Sequence, residues 1–258
     1  TGDFHVAYVD TSQYVQYLIR NGSTGSWTRQ DLTVSTGLDV YPGTSAQAFM
    51  DPFTGNHYVL FTASNRRVNL FSSSNSTTWS AMDLTSLAPV DYTVSTPVGF
   101  VHPITGAFYV YLMGQNQRVY EIWYNGSWYG NDLTAVASVP YGDYGTSVSA
   151  VVNILTGDIL VTFQGDNHRI NKFRYRNGTW SATDLTSRAS VEYARAGNTP
   201  QTFVDPFTGA ETTVFAGNNH RIQLIRFGPA FGTSTTVVPT SGPTRTDQYL
   251  FLDVNRDG

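Results

Sequence analysis

Four arginines recur in step along the chain, each just after a short polar turn: Arg67, Arg118, Arg169 and Arg221, spaced 51, 51 and 52 residues apart. Their turns read Ser64-Asn65-Arg66-Arg67, Gln115-Asn116-Gln117-Arg118, Asp166-Asn167-His168-Arg169 and Asn218-Asn219-His220-Arg221, with Thr11-Ser12-Gln13-Tyr14 at the same phase near the start. A second series sets an acid close to a tyrosine: Asp39 with Tyr41, Asp91 with Tyr92, Asp143 with Tyr144, Glu192 with Tyr193, and more weakly Asp247 with Tyr249. Arginine supplies a planar fork of donors, a carboxylate accepts, and an aromatic ring offers a flat apolar face. Vicinal hydroxyls and the C–H groups of a neutral sugar need that set. Asn116, Asn167, Asn219, His168 and His220 add polar groups to the same turns. Repetition around one body would raise the effective concentration for a branched or surface glycan.

Two other readings compete. A repeat copies its scaffold along with its sites, so the arginines and acids can equally pair across units to satisfy turns. A polysaccharide-cleaving enzyme would need one unit to break the repeat with paired carboxylates or a His/Tyr/Arg set, perhaps in a single degenerate cleft. His168 and His220 recur by copying, and neither a Ser-His-Asp motif, nor a phosphate loop, nor a His-rich metal spacing is present. His5 and His57 read as ordinary strand residues. A plain protein-interaction scaffold is the third class.

The elements that must position these residues follow from the same period. Thr-Gly turns end at Gly55, Gly106, Gly157 and Gly209 (51, 51, 52), and a Trp followed by Asp-Leu-Thr recurs at Trp27/Asp31, Trp79/Asp83, Trp128/Asp132 and Trp180/Asp184 (52, 49, 52). A period near 50 residues built of short alternating strands specifies a propeller blade. In the third copy the strands read 95–102, 107–113, 117–124 and 128–134, parted by Pro103-Ile104-Thr105-Gly106, Gly114-Gln115-Asn116 and Asn125-Gly126-Ser127.

The first copy begins at Thr1-Gly2 without an inner strand, and Gln248 to Asp253 repeats the pattern of Gln201 to Asp205. The expectation is a single all-β domain: a five-bladed β-propeller of four-stranded antiparallel blades, its ring closed by the C-terminal strand pairing with the N-terminal blade. The composite blade is 1–33 plus 246–258, and the others span about 44–85, 95–134, 146–186 and 198–238. The last lacks Trp and Asp-Leu-Thr in its outer strand, GTSTTVV at 232–238. The turn and the interblade link would open on one face, bringing arginines, acids and tyrosines together. The Thr-Gly turns lie on the opposite face and read as turn chemistry, and the Trp and Asp-Leu-Thr set reads as scaffold.

Composition narrows the partners. The net charge is −4 with 15 Lys and Arg spread along 258 residues, which gives no basic footprint for nucleic acid or an anionic membrane. No apolar run approaches the ~20 residues of a membrane helix. Cysteine is absent, so disulfides and thiolate metal sites are excluded. The polar, Tyr-rich surface and the single lysine, Lys172, lead us to expect a secreted or cell-surface protein. The sequons at Asn21, Asn75, Asn125 and Asn177 read first as tight turns. No cofactor is expected. The tail residues Asp253, Asn255 and Asp257 match the first half of an acidic calcium loop, but read better as a turn.

With one Trp in each of four blades and G-x-N-x-R turns at 114–118, 165–169 and 217–221, the pattern resembles the β-propeller lectins, in particular the five-bladed tachylectin-2-like kind. That resemblance implies near-identical blades, each holding a sugar site against its neighbour. It makes a multivalent carbohydrate-binding protein the leading expectation, with glycans or polysaccharide as partners.

Overall fold

A computed structural model describes residues 2–34 and 37–228. Phe4–Val9, Val15–Arg20 and Trp27–Asp31 (β1–β3) form the first antiparallel sheet. Gln47–Met50, His57–Thr62, Val68–Ser73 and Ser80–Asp83 (β4–β7) form the second, and the helical turn Leu84–Leu87 (α1) follows it. Val98–Val101, Phe108–Met113, Val119–Tyr124 and Trp128–Asp132 (β8–β11) make the third, ending in Leu133–Ala137 (α2). The fourth comprises Ser149–Asn153, Asp158–Gln164, Ile170–Arg176 and Thr179–Asp184 (β12–β15), with Leu185–Ala189 (α3) after it. Gln201–Val204, Glu211–Ala216 and Ile222–Phe227 (β16–β18) form the fifth. All pairings are between sequence neighbours, so each sheet is a meander. The strands anticipated in the third copy are those observed, trimmed at their ends. The closing strand at 246–258, the outer strand at 232–238 and the acidic tail lie outside the described residues.

The core sits between sheets. Leu60 and Leu70 of the second sheet pack with Val110 and Ile122 of the third, and Tyr111 and Met113 of the third pack with Val161 and Phe163 of the fourth. One face of each strand therefore meets the sheet before it and the other the sheet after it. Hence strands such as Asp158–Gln164 are buried along their whole length. Near the innermost strands, backbone donors pass to the next blade's hydroxyl: Ser45 N to Thr96 Oγ1, Thr96 N to Ser147 Oγ and Ser147 N to Thr199 Oγ1, at 2.9, 3.0 and 3.0 Å.

Asp-Leu-Thr is explained residue by residue. Asp83, Asp132 and Asp184 cap α1, α2 and α3, each accepting a backbone N–H through Oδ1. Leu84, Leu133 and Leu185 are wholly buried. Thr85, Thr134 and Thr186 accept the first N–H of the third strand, from Val68, Val119 and Ile170, all at 2.8 Å. The helical turns were not visible in the strand pattern, because four or five residues carry no helical period.

The Thr-Gly turns also join blades. Gly157 sits at φ +74°, its carbonyl accepts from His102 Nε2 at 3.1 Å, and a methyl on its Cα would lie 3.5 Å from Ile104 Cδ1. Alanine there costs about 1–2 kcal/mol, because an L side chain is strained at positive φ. Thermal unfolding of Gly157→Ala should show that loss, and an unchanged midpoint would contradict it.

Candidate functional site

The links from one sheet to the next run beside the turns that precede the arginines. Thr93 N, Gly142 N and Ala194 N donate to the carbonyls of Arg66, Gln117 and His168 of the blade before, at 2.8, 2.6 and 2.8 Å. Tyr92, Tyr141 and Tyr193, each one residue earlier, accept at their carbonyls from Gln115, Asp166 and Asn218 of the blade after, at 2.6, 2.8 and 2.8 Å. Each link is therefore stitched to both neighbours. The turns themselves are set by Asn65, Asn116, Asn167 and Asn219, whose Oδ1 atoms accept the arginine N–H two residues on, all at 3.1 Å. Arg66, Gln117, His168 and His220 hold positive φ of 60–65°. The two histidines thus serve the turn through their backbone.

Three identical clusters result. Arg67 Nη1 bonds Asp83 Oδ2 at 2.6 Å and Arg169 Nη1 bonds Asp184 Oδ2 at 2.6 Å, while Arg118 pairs with Asp132 in the same way. Each guanidinium lies 5.4–5.6 Å from the ring centroid of the tyrosine on the link: Tyr92, Tyr141 and Tyr193. Arg118 Nη2 also reaches Tyr141 Oη at 3.4 Å, and Arg169 Nη2 reaches Tyr193 Oη at 3.2 Å. Hydrogen bonds to the aspartate first, then to the tyrosine, hold all three guanidiniums protonated above their ordinary range. The arginine side chains are 34–35% exposed and the tyrosines 45–47%. A fixed cation, a bonded carboxylate and an open aromatic ring therefore face solvent together three times.

The side chains beside the arginines differ from the expected set in two respects. The carboxylate beside each arginine is the Asp of Asp-Leu-Thr, read from sequence as scaffold alone; it does both jobs, with Oδ1 on the helix and Oδ2 on the arginine. The expected acids brace loops instead. Asp91 Oδ2 accepts from Asn116 N at 3.0 Å, and Asp143 Oδ2 accepts from Gln164 Nε2 at 3.0 Å and Gly197 N at 2.9 Å. Asp39 accepts Ser64 N through its backbone carbonyl, and Glu192 is exposed. Tyr92 and Tyr193 stand where expected, but Tyr144 does not reach Arg118; Tyr141 takes its place. Tyr41 lies beside Arg66, 5.6 Å from it. Arg221 occupies the fourth equivalent turn, and the strand that would face it lies outside the described residues. In the first blade Tyr14 stands for the arginine, and Asp31 bonds Gln16 at 2.8 Å.

Away from this face, one polar cluster joins the first two blades. Tyr17 Oη lies 3.0 Å from Nδ1 of both His5 and His57. A phenol has one proton, so it donates to one imidazole and accepts from the other. Burial lowers the pKa of His5, against an opposing pull from Asp3, and burial followed by His5 itself lowers that of His57, both from an ordinary 6.5. A lowered folded-state pKa means that the cluster's stabilisation is complete above pH 6.5 and is lost as pH falls through the folded values. The thermal midpoint should therefore drop on acidification below pH 6.5, and His57→Gln should flatten that dependence; an equally steep profile in the variant would contradict this assignment.

Sheets of this meander type, set side by side, give the chain a fold similar to that of solved β-propeller lectins. Among solved structures the chain is similar to the BP39L lectin from Burkholderia pseudomallei, with TM-score 0.71 and 13% identity over 94% of this chain and 67% of that one. It is similar also to the fucose-specific lectin from Aleuria aurantia (TM-score 0.59, 17% identity, 93% and 79% covered) and to the SapL1 lectin in complex with α-methyl fucoside (0.60, 13%, 93% and 78%). No protein-family model and no curated protein matches the sequence.

Proposed function

We propose that the protein is a multivalent lectin, acting outside the cell or at its surface, that binds neutral sugars at the interblade clusters Arg67/Asp83/Tyr92, Arg118/Asp132/Tyr141 and Arg169/Asp184/Tyr193, with Arg221 in a fourth. The observation that carries this reading is the threefold recurrence of one geometry. The aspartate fixes the guanidinium, whose remaining N–H groups donate to sugar hydroxyls, and the tyrosine ring covers the sugar's C–H face. The flanking Asp91 and Asp143 hold the loops that frame the sugar. Recurrence favours binding over catalysis, because a reaction centre needs one differentiated site. The similar lectins that bind fucosides make methyl α-fucoside a natural first probe. A glycan array carrying fucosylated and other neutral glycans should show binding, and silence across the whole array would overturn the reading.

A further inference from the structure

A second kind of site opens between the second and third blades, at the strand ends remote from the arginines. β6 begins beside Arg67 and ends at Ser73, so the two places lie roughly 20 Å apart along the strand. There the sheets part to leave a cleft of about 830 Å³, within the range of small-molecule sites.

The cleft is a departure from the repeat. Leu70 occupies the position filled by Tyr17, Glu121 and Lys172 in the three neighbouring copies, and Ser72 the position filled by Trp123 and Arg174 in the two that follow. Those residues are engaged in their own copies, within the third blade for Glu121 and Trp123 and across to the next blade for Lys172 and Arg174. Glu121 accepts from Tyr111 Oη at 2.9 Å and Asn131 Nδ2 at 2.8 Å, and Trp123 stacks on Tyr129 at 4.5 Å. Lys172 and Arg174 both pair with Glu211 of the next blade. In the second blade the Ser72 hydroxyl bonds Ser80 at 2.8 Å, and both line the cleft. The hairpin above it is also longer than its successors: twelve residues separate Arg67 from Trp79, against ten from Arg118 to Trp128 and eleven from Arg169 to Trp180.

The lining matches one ligand class. Tyr58, Trp128 and the half-exposed Tyr124 supply aromatic surface, serine hydroxyls and Asn75 supply neutral donors and acceptors, and Asp51 is the single charged residue lining the cleft; Trp79 stands at its edge, its indole packed on Tyr17 and bonded to Gln30 of the first blade. An anionic ligand finds no counter-ion there, Asp51 is buried with its oxygens bonded to Phe53 N and Thr54 Oγ1, and an unbroken apolar ligand would strand the hydroxyls. We propose that this cleft binds a stretch of neutral oligosaccharide several rings long, separately from the arginine sites and without depending on them.

The test uses a variant in which Arg67, Arg118, Arg169 and Arg221 are all alanine, titrated with chitohexaose, cellohexaose, mannohexaose and xylohexaose while tryptophan fluorescence is followed. At least one of these probes should bind with one site per chain and perturb the emission of Trp128. Adding Ser72→Trp, which supplies the bulk that Trp123 supplies in the next blade, should weaken binding at least about tenfold, as should Tyr124→Ala, which removes a half-exposed ring. If none of the hexasaccharides binds, or if both added changes leave binding intact, the proposal fails. If the native protein ignores monosaccharides yet binds a hexasaccharide that Ser72→Trp excludes, the cleft stands and the arginine-site reading falls.

Discussion

Replacing Glu211 by leucine should lower the unfolding free energy by about 3–5 kcal/mol, the usual cost of removing one partner from a buried ion pair. Glu211 on β17 accepts from both Lys172 and Arg174 on β14, across the interface of the fourth and fifth blades. Lys172 and Glu211 are 5% and 7% exposed, so without the carboxylate the ammonium would remain charged and buried. Burial already lowers the Lys172 pKa, an effect that Glu211 opposes. The paired change Lys172→Met with Glu211→Leu should recover most of the loss, since Arg174 keeps Asp158 at 3.2 Å and an apolar pair of similar volume removes the need for compensation. Urea unfolding of the single and double variants measures this, and a single variant as stable as the native protein would contradict it.

Changing Arg67, Arg118, Arg169 and Arg221 together to alanine should abolish monosaccharide binding, while each single change should remove one site or weaken it at least about tenfold, the scale of a lost charge-assisted hydrogen bond. Lysine at these positions should rescue poorly, because a point charge cannot hold the aspartate and donate sideways to a sugar at once. The arginines are partly exposed and their aspartates also cap helices through the other oxygen, so the variants should fold. Retention of native binding by the quadruple variant would place the sugar elsewhere.

Much of this architecture was legible because repetition multiplies weak signals. Three marker series agreeing on one period specified blades before any strand was assigned, and the strands of the third copy were read within a few residues of their observed ends. Closure of the ring falls on residues outside those described here. The arginines of the proposed site stand out in sequence because they keep the period of the Thr-Gly turns, whereas the residues the structure sets beside them keep another. Tyr92, Tyr141 and Tyr193 follow each other by 49 and 52 residues, as do Asp83, Asp132 and Asp184, because the link inherits the phase of the outer strand before it. Counting nine residues on from each aspartate finds all three tyrosines. Matching acids to nearby tyrosines instead selected Tyr144, three residues out of phase. Asp83 and its copies were hidden for another reason: their capping role explained them fully, and nothing in sequence shows that the second carboxylate oxygen is free for an arginine.

The central claim is that one sugar site is repeated between blades. Calorimetric titration with methyl α-fucoside and a panel of other neutral monosaccharides, fitting the number of sites together with the affinity, tests it most directly. The account predicts three or four equivalent weak sites per chain for at least one sugar, falling by one with Arg169→Ala. A single site, or a number of sites that Arg169→Ala leaves unchanged, would contradict it.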